Sequence, residues 1–143
     1  MIERCTDYRR IQRFPDWRIN ISSDVYYLME TDGDKDLGVW TFHPWGSSHK
    51  FGLLIHASLG SGCKGKDAKA SARSAFYWIF TNTDCREIWA AIPNDKRPAQ
   101  FMASWAGMKY QYKDDNKRYY RIGFKDVIAP DHPVIRKAAY YGR

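Results

Sequence analysis

The alternation of apolar and polar residues predicts three strands in the first half of the chain. Branched and aromatic residues from Val25 to Thr31 and from Leu37 to Phe42 flank Asp32-Gly33-Asp34, a pattern typical of two antiparallel strands joined by a turn. The run from Phe51 to Leu59 is apolar on both faces except at His56. Because a strand covered on both faces has this pattern, we expect it at the centre of a sheet.

Helical spacing precedes and follows these strands. A short helix is predicted from Asp7 to Phe14, with Thr6 or Asp7 as its cap and Pro15 as its stop. A longer amphipathic helix is predicted after residue 65, ending near Asn82, because apolar residues recur there every three or four positions. Its apolar residues are Ala68, Ala72, Ala75, Phe76 and Ile79.

The next elements predicted are a buried strand from Glu87 to Ile92 and a helix from about Asp95 to Trp105. Pro98 falls in the first turn of that helix, where its missing N–H matters little, and Gly107 supplies the stop. The helix residues expected to face inward are Phe101, Met102 and Trp105. The tryptophans expected in the core are Trp40, Trp78, Trp89 and Trp105.

A final hairpin is predicted from Tyr110 to Lys113 and from Arg118 to Ile122. Beyond Gly123 we expect irregular structure, because two prolines interrupt the chain before a short helix at Val134–Tyr141. The predicted organisation is one α+β domain, residues 1–124, with a basic extension, residues 125–143, packed on or beside it.

Composition supports a folded domain. The chain has 143 residues, of which 44% are hydrophobic and 16% aromatic, so it has the side chains that disordered proteins lack. The first residues are charged where a signal peptide needs an apolar run, and the run from Phe51 to Leu59 is too short to span a bilayer. We therefore expect a cytoplasmic protein.

Charge is unevenly distributed along the chain. The net charge is +7; residues 1–95 contain 12 basic and 12 acidic residues, whereas residues 96–143 contain 11 basic and 4 acidic ones. The last third therefore carries the whole excess, and its positive field suits a phosphate-bearing cofactor, a nucleic acid or an acidic protein surface. A solvated basic face without a dedicated partner is the alternative.

Cysteine and histidine residues give no metal or disulfide signature. Cys5, Cys63 and Cys85 are odd in number and lack paired spacing, so we expect reduced thiols. His43 and His49 lack a third ligand at a recognised spacing, and no metal site is predicted.

Two segments resemble the GNAT N-acetyltransferase superfamily. The strand Phe51–Leu59 leads into Lys64-Gly65-Lys66-Asp67-Ala68-Lys69, where family members carry a glycine-rich loop before a long helix. The segment Ile88–Ala99, with Asn94 after the strand, precedes Trp105-Ala106-Gly107-Met108 and is similar to the family's strand, Asn, helix and Gly sequence. The resemblance covers about Ile2–Phe124 and implies an α+β domain with a mixed central sheet flanked by helices.

This resemblance implies acetyl-CoA as cofactor. Backbone groups of Ala57 and Leu59 would line its pantetheine arm, and the amides of the loop and helix N-terminus would face its pyrophosphate. Asp67 and Lys69 stand where the family usually has glycines. The implied cofactor-binding residues are Ala57, Leu59, Lys64, Gly65, Lys66, Asp67, Ala68, Lys69 and Asn94.

Three residues are candidates for proton transfer during amine acylation. His56 on the central strand is the best-placed general base, and Glu30 at the end of an earlier strand is a second candidate. The family's tyrosine acid position, four residues before the closing Gly, is Ala103, so Tyr110 is the expected substitute, with Tyr112 on the same strand as the alternative. For each residue a packing role is the alternative.

Three functions remain open from the sequence. The first is an acetyl-CoA-dependent N-acyltransferase acting on an unidentified amine or protein. The second is a non-catalytic assembly module, because the chain also resembles short bacteriophage GNAT-like proteins of the virion head and DNA ejection, whose partners would be phage structural proteins. The third is nucleic-acid binding through residues 96–143. The residues for it are Arg118, Tyr119, Tyr120, Arg121, Lys137, Tyr140, Tyr141 and Arg143.

Overall fold

A computed structural model describes residues 1–14, 25–45 and 52–133. The strands are β1 (Ile2–Arg4), β2 (Tyr26–Asp32), β3 (Lys35–Pro44), β4 (Gly52–Leu59), β5 (Glu87–Pro93), β6 (Lys109–Lys113) and β7 (Lys117–Gly123). The helices are α1 (Tyr8–Ile11), α2 (Lys66–Asn82), α3 (Arg97–Trp105) and α4 (Phe124–Val127).

The strands form one sheet in the order β1-β2-β3-β4-β5-β7-β6. All neighbouring strands are antiparallel except β4 and β5, which are parallel. The prediction of β4 at the centre is confirmed, and so is the predicted α+β class with a mixed sheet and flanking helices.

Each face of the sheet has its own apolar core. The larger core lies between the sheet and the helices α2 to α4, and Leu28, Phe42, Phe76 and Ile122 are among its fully covered members. On the other face, the N-terminal segment with α1 covers β2 and β3 through Ile11 and its neighbours. Alternation of side chains along each strand therefore assigns every strand residue to one of these two faces.

The helix boundaries follow local chemistry. Asp7 caps α1, since its Oδ1 accepts a hydrogen bond from the Arg9 N–H at 3.1 Å. Gly107, at φ 104°, ends α3 in a left-handed conformation that glycine adopts without steric cost. The predicted cap of α1 at Asp7 and the predicted stop of α3 at Gly107 are confirmed. Helix α1 is shorter than the expected Asp7–Phe14.

The predicted inward face of α3 is wrong. Phe101 is 67% exposed and Trp105 38%, whereas Ala103 and Ala106 are buried against the core. The large aromatic residues suggested the inward stripe, but α3 lies too close to the sheet for them and presents alanines instead. Trp40 is buried as predicted, while Trp89 lies on the opposite face of the sheet from α3.

Three further features differ from the sequence-based expectations. The three-residue strand β1 was not predicted, because its sequence Ile-Glu-Arg has no strand pattern by itself. The single turn α4 begins at Phe124, where irregular structure was expected. The predicted helix at Val134–Tyr141 lies outside the described residues, and the boundary between residues 1–124 and 125–143 stays a prediction.

Candidate functional site

An opening in the sheet lies between β4 and β5. The two strands pair only from Gly52 to Leu54 on β4 and from Glu87 to Trp89 on β5. Beyond these residues β4 remains paired with β3 and β5 with β7, so the facing edges of β4 and β5 separate. Ala57 and Leu59, two predicted cofactor residues, lie on the open part of β4, on the face that carries α2.

The loop from β4 to α2 closes the wide end of this opening. Its last residue, Gly65, precedes the helix at φ 56° and ψ −128°, a backbone conformation that other residues rarely adopt. Lys64 and Lys66 are both exposed beside it. A positive-φ glycine, two lysines and the N-terminus of a 17-residue helix together make a site for an anion.

The structure corrects the roles expected of Asp67 and Lys69. Both lie in the first turn of α2 rather than in the loop, and their amides are already used: Asp67 N–H donates to the Lys64 carbonyl and Lys69 N–H to the Gly65 carbonyl, each at 3.1 Å. These two amides therefore do not face a pyrophosphate. Ala68 is buried against the sheet.

Side chains of α2 and α3 meet across the space between the two helices. The Lys69 ammonium lies 5.1 Å from the centroid of the Trp105 indole, a cation–π contact. One turn further along α2, Arg73 Nη1 donates to the Ala106 carbonyl at 2.9 Å. These contacts tie the helices together next to the opening.

His56 forms a pair with His43 on the face of the sheet opposite α2. Their Nε2 atoms are 2.9 Å apart and the rings are stacked, with an interplanar angle of 10°. His43 Nδ1 lies 3.2 Å from the Pro44 carbonyl, which can only accept, so Nδ1 carries the proton of a neutral His43. The His56 Nε2–H then donates to His43 Nε2. His43 was not a predicted site residue. The strand register explains the contact, because His43 pairs with Leu54 and so lies diagonally across from His56 on the same face of the sheet.

Glu30 and Tyr110 do not join His56. The Glu30 carboxylate lies on the α2 face of the sheet, where it accepts a hydrogen bond from the N-terminal ammonium group of Met1. Tyr110 is on the edge strand β6, which β5 and β7 separate from β4, and its ring contacts Tyr120 edge-on. The three candidates predicted for proton transfer therefore lie in three separate places. Ala103, at the family's acid position, is a buried core residue.

Asn94 follows β5 and turns toward the hairpin β6–β7. Its Nδ2 donates to the Asp114 carbonyl at 3.3 Å, and its carbonyl accepts from Gln100 Nε2 at 3.1 Å. Asn94 thus links the start of α3 to the hairpin, and its side chain does not point along the open edge of β4.

The residues predicted for nucleic-acid stacking are mostly engaged within the fold. Tyr120 is 4% exposed and belongs to the core, which contradicts its proposed stacking role. The Tyr119 ring stacks on Tyr112 with centroids 4.6 Å apart, and Arg121 Nε donates to Glu87 Oε2 at 2.7 Å. The residues Lys137, Tyr140, Tyr141 and Arg143 lie outside the described part of the chain.

The half-buried Glu87 carboxylate and the buried cysteine thiols respond to their surroundings in opposite ways. Burial disfavours ionisation of Glu87, but hydrogen bonds from Arg121 and Trp89 outweigh it and hold the Glu87 pKa below its usual value. Burial raises the pKa of the Cys63 thiol, and it raises that of Cys85 to about 12. Cys5, Cys63 and Cys85 are all free and buried.

Neither a metal-binding cluster nor a membrane-spanning helix occurs in the described residues 1–14, 25–45 and 52–133. No group of three or more His, Cys, Asp or Glu residues converges there on a metal-sized space, and His49 lies outside these ranges. None of the helices in these ranges is long and apolar enough to cross a membrane.

The fold matches solved N-acetyltransferases. Spermidine N-acetyltransferase SpeG from Vibrio cholerae, as its F149A mutant, superimposes with a TM-score of 0.72 at 11% identity, over 92% of this chain and 99% of that one. N-acetyltransferase PseH from Campylobacter jejuni, in complex with acetyl coenzyme A, gives 0.61 at 12% identity, over 71% and 70% of the two chains. A GNAT-family acetyltransferase from Bacillus anthracis gives 0.59 at 16%, over 74% and 69%.

No protein-family model matches the sequence, and no curated protein does. At identities of 8 to 16%, the structural likeness defines the fold. The chain therefore has the GNAT fold, a single α+β domain in which the sheet opens between its two parallel strands.

Proposed function

We propose that this protein binds acetyl-CoA in the opening between β4 and β5 and transfers the acyl group to an amine. The separation of the two parallel strands beyond Leu54 and Trp89, with a helix N-terminus at its wide end, is the observation that carries the proposal. The same fold holds acetyl coenzyme A in the structure of PseH. The acceptor is a small amine or a protein. Its pocket in this fold is built from variable loops, so the fold does not specify which amine is used.

The residues present fit the pantetheine arm of the cofactor better than its pyrophosphate. The free edge of β4 at Ala57 and Leu59 offers backbone groups to an extended chain such as pantetheine, and the lysines beside Gly65 suit a pyrophosphate. Asp67 opposes that charge from the first turn of α2. Bound there, the cofactor would supply an activated thioester.

His56 is the residue we assign to proton removal from the amine. Because its Nε2–H donates to His43, a proton taken up by the pair can be shared along the 2.9 Å hydrogen bond. The open β4 edge holds the reacting groups in position, which is the main contribution expected from an enzyme of this kind. At the family's tyrosine acid position this chain has the buried Ala103, and Tyr110, the expected substitute, lies on the edge strand β6.

A non-catalytic assembly role is the second candidate. The Lys69–Trp105 and Arg73–Ala106 contacts connect α2 to α3 beside the opening, and Asp67 places a carboxylate at the anion site. Together with Ala103, these features favour a GNAT-fold protein that has kept its architecture for another purpose. An origin in a tailed bacteriophage, with virion proteins as partners, belongs to this candidate.

Calorimetric titration with acetyl-CoA separates the two candidates. We expect wild-type protein to bind, and Asp67→Asn to bind roughly five- to tenfold tighter because one repelling charge is removed near the pyrophosphate. Asp34→Asn, an equal charge change in the exposed β2–β3 turn, is the control and should leave the affinity within about twofold. Absence of binding by all three proteins at millimolar acetyl-CoA would reject the enzyme and leave the assembly role.

A further inference from the structure

A cavity of about 340 Å³ lies between α3 and the strand β7. It is lined by Asn94, Arg97, Gln100, Phe101, Ser104, Arg118 and Tyr120. Since β7 is on the side of β5 away from β4, this cavity is separate from the opening that we assign to acetyl-CoA. None of its lining residues comes from β4, from α2 or from the loop between them.

Two guanidinium groups give the cavity a positive wall. Arg97 opens α3 and is exposed, whereas Arg118 is half-buried on β7, with its guanidinium carbon 5.8 Å from the Tyr110 ring centroid. Arg118 Nε is closed off from solvent and has no acceptor among the described residues. A buried donor of a charged group is costly to leave without a partner, so this position favours a ligand that accepts from it.

Asn94 supplies an unsatisfied acceptor in the same cavity. Its Oδ1 is buried and has no donor among the residues that the structure describes, while its Nδ2 and carbonyl are held by Asp114 and Gln100. Gln100 Nε2 also donates to the Pro93 carbonyl at 3.0 Å, which fixes the turn. The side chain is therefore held in place with one hydrogen-bonding position unused.

Asp114, whose carbonyl holds Asn94, does not neutralise this wall. Asp114 uses its carboxylate within its own turn: Oδ1 accepts from the Asn116 and Lys117 amides at 2.8 and 2.7 Å, and Oδ2 accepts from the Tyr119 hydroxyl at 2.8 Å. These hydrogen bonds hold the Asp114 pKa below its usual value. Neither arginine of the cavity has an ion pair with Asp114.

The ligand must therefore present a strong acceptor to the arginines and a donor to Asn94. A phosphate monoester meets the first requirement, because its two negative charges suit two guanidinium groups. A hydroxyl group close to the phosphate meets the second. The volume lies at the lower end for small-molecule sites, which suits a phosphorylated sugar rather than a larger cofactor.

We infer that the cavity between α3 and β7 is a binding site for a small hydroxylated phosphate monoester. The phosphate accepts from Arg118 Nε and the Arg97 guanidinium, and a neighbouring hydroxyl donates to Asn94 Oδ1. Ser104 offers a further hydroxyl, and the exposed Phe101 ring stands at the cavity wall. The site does not depend on acyl transfer and would persist in a non-catalytic protein.

Ribose 5-phosphate is the probe, with ribose and inorganic phosphate as separate arms of a calorimetric titration. We expect ribose 5-phosphate to bind at least tenfold tighter than phosphate, ribose not to bind, and saturating acetyl-CoA to leave the affinity unchanged. Equal affinity for phosphate and ribose 5-phosphate, or competition with acetyl-CoA, would overturn the inference.

The matched variants are Arg118→Lys and Arg121→Lys, which make the same change on the two faces of β7. Arg118→Lys removes the Nε donor and should weaken ribose 5-phosphate binding at least tenfold, whereas Arg121→Lys should change it less than twofold. Arg97→Gln, at an exposed position, gives the same test if Arg118→Lys does not fold. Equal effects of the changes at Arg118 and Arg121, or no effect of Arg97→Gln, would count against the site.

Discussion

The imidazoles of His43 and His56 are joined by one hydrogen bond between their Nε2 atoms, 2.9 Å apart, on a face of the sheet away from α2. The Pro44 carbonyl fixes the tautomer of His43, so the proton in this bond belongs to His56. This hydrogen bond links His56, the predicted base on the central strand β4, to His43 on the neighbouring strand β3.

The ion pair of Arg10 and Asp36 should stabilise the attachment of α1 to β3. Arg10 Nε and Nη2 lie 3.0 and 2.7 Å from the two Asp36 oxygens, and the carboxylate is 11% exposed. We expect Asp36→Asn to lower the free energy of unfolding by about 1–3 kcal/mol, because a charge-assisted pair is reduced to weaker hydrogen bonds. Asp32→Asn, in the exposed turn, is the control and should have an effect below about 0.5 kcal/mol.

The same ion pair has a defined pH dependence. Hydrogen bonding to Arg10 holds the Asp36 pKa below its usual value, so the unfolded chain binds the proton at a higher pH than the native protein. The stabilisation is therefore complete above the pKa of an unfolded aspartate, about 4, and is lost as pH falls further. Wild type and Asp36→Asn should therefore converge in unfolding free energy as pH falls below about 4, and a difference that stays constant throughout this fall would contradict the assignment.

The exposed and buried positions of α3 predict opposite mutational responses. Phe101→Ser should change the unfolding free energy by less than about 0.5 kcal/mol, because the ring is 67% exposed. Ala103→Leu should destabilise by about 1–3 kcal/mol, because the helix lies on the sheet with no room for a larger side chain. Thermal unfolding of the two variants compares them directly; a larger loss for Phe101→Ser would restore the aromatic stripe as the packed face.

The three cysteines should be inert in the native state. Cys5, Cys63 and Cys85 are each at most 3% exposed, and burial raises the pKa of Cys85 to about 12, so little thiolate is present at pH 8. Labelling with a thiol reagent at pH 8 should proceed at least a hundredfold more slowly in buffer than in denaturant, where all three react. Rapid labelling of one native thiol would show that its region opens to solvent.

Much of the architecture follows from local sequence pattern. Strands β2 to β5, helix α2 and the last hairpin were all predicted near their observed positions, because period-two and period-3.6 hydrophobicity extends over seven or more residues in most of them. The resemblance to GNAT proteins was likewise visible in Phe51–Lys69 and Ile88–Met108, and the structural matches confirm the fold it implied. A short strand such as β1 has too few residues for such a signal.

The sequence by itself determined the order and type of every element except β1 and α4, and the glycine-bearing turn at the start of α2. Only the tertiary structure decided that β7 rather than β6 lies beside β5, that α3 packs through alanines, and that His56 meets His43 while Glu30 and Tyr110 lie elsewhere. Local pattern reflects the chemistry of neighbours along the chain. Side chains separated by 13 or more residues meet only through strand register and helix placement, which the packing of the whole domain sets.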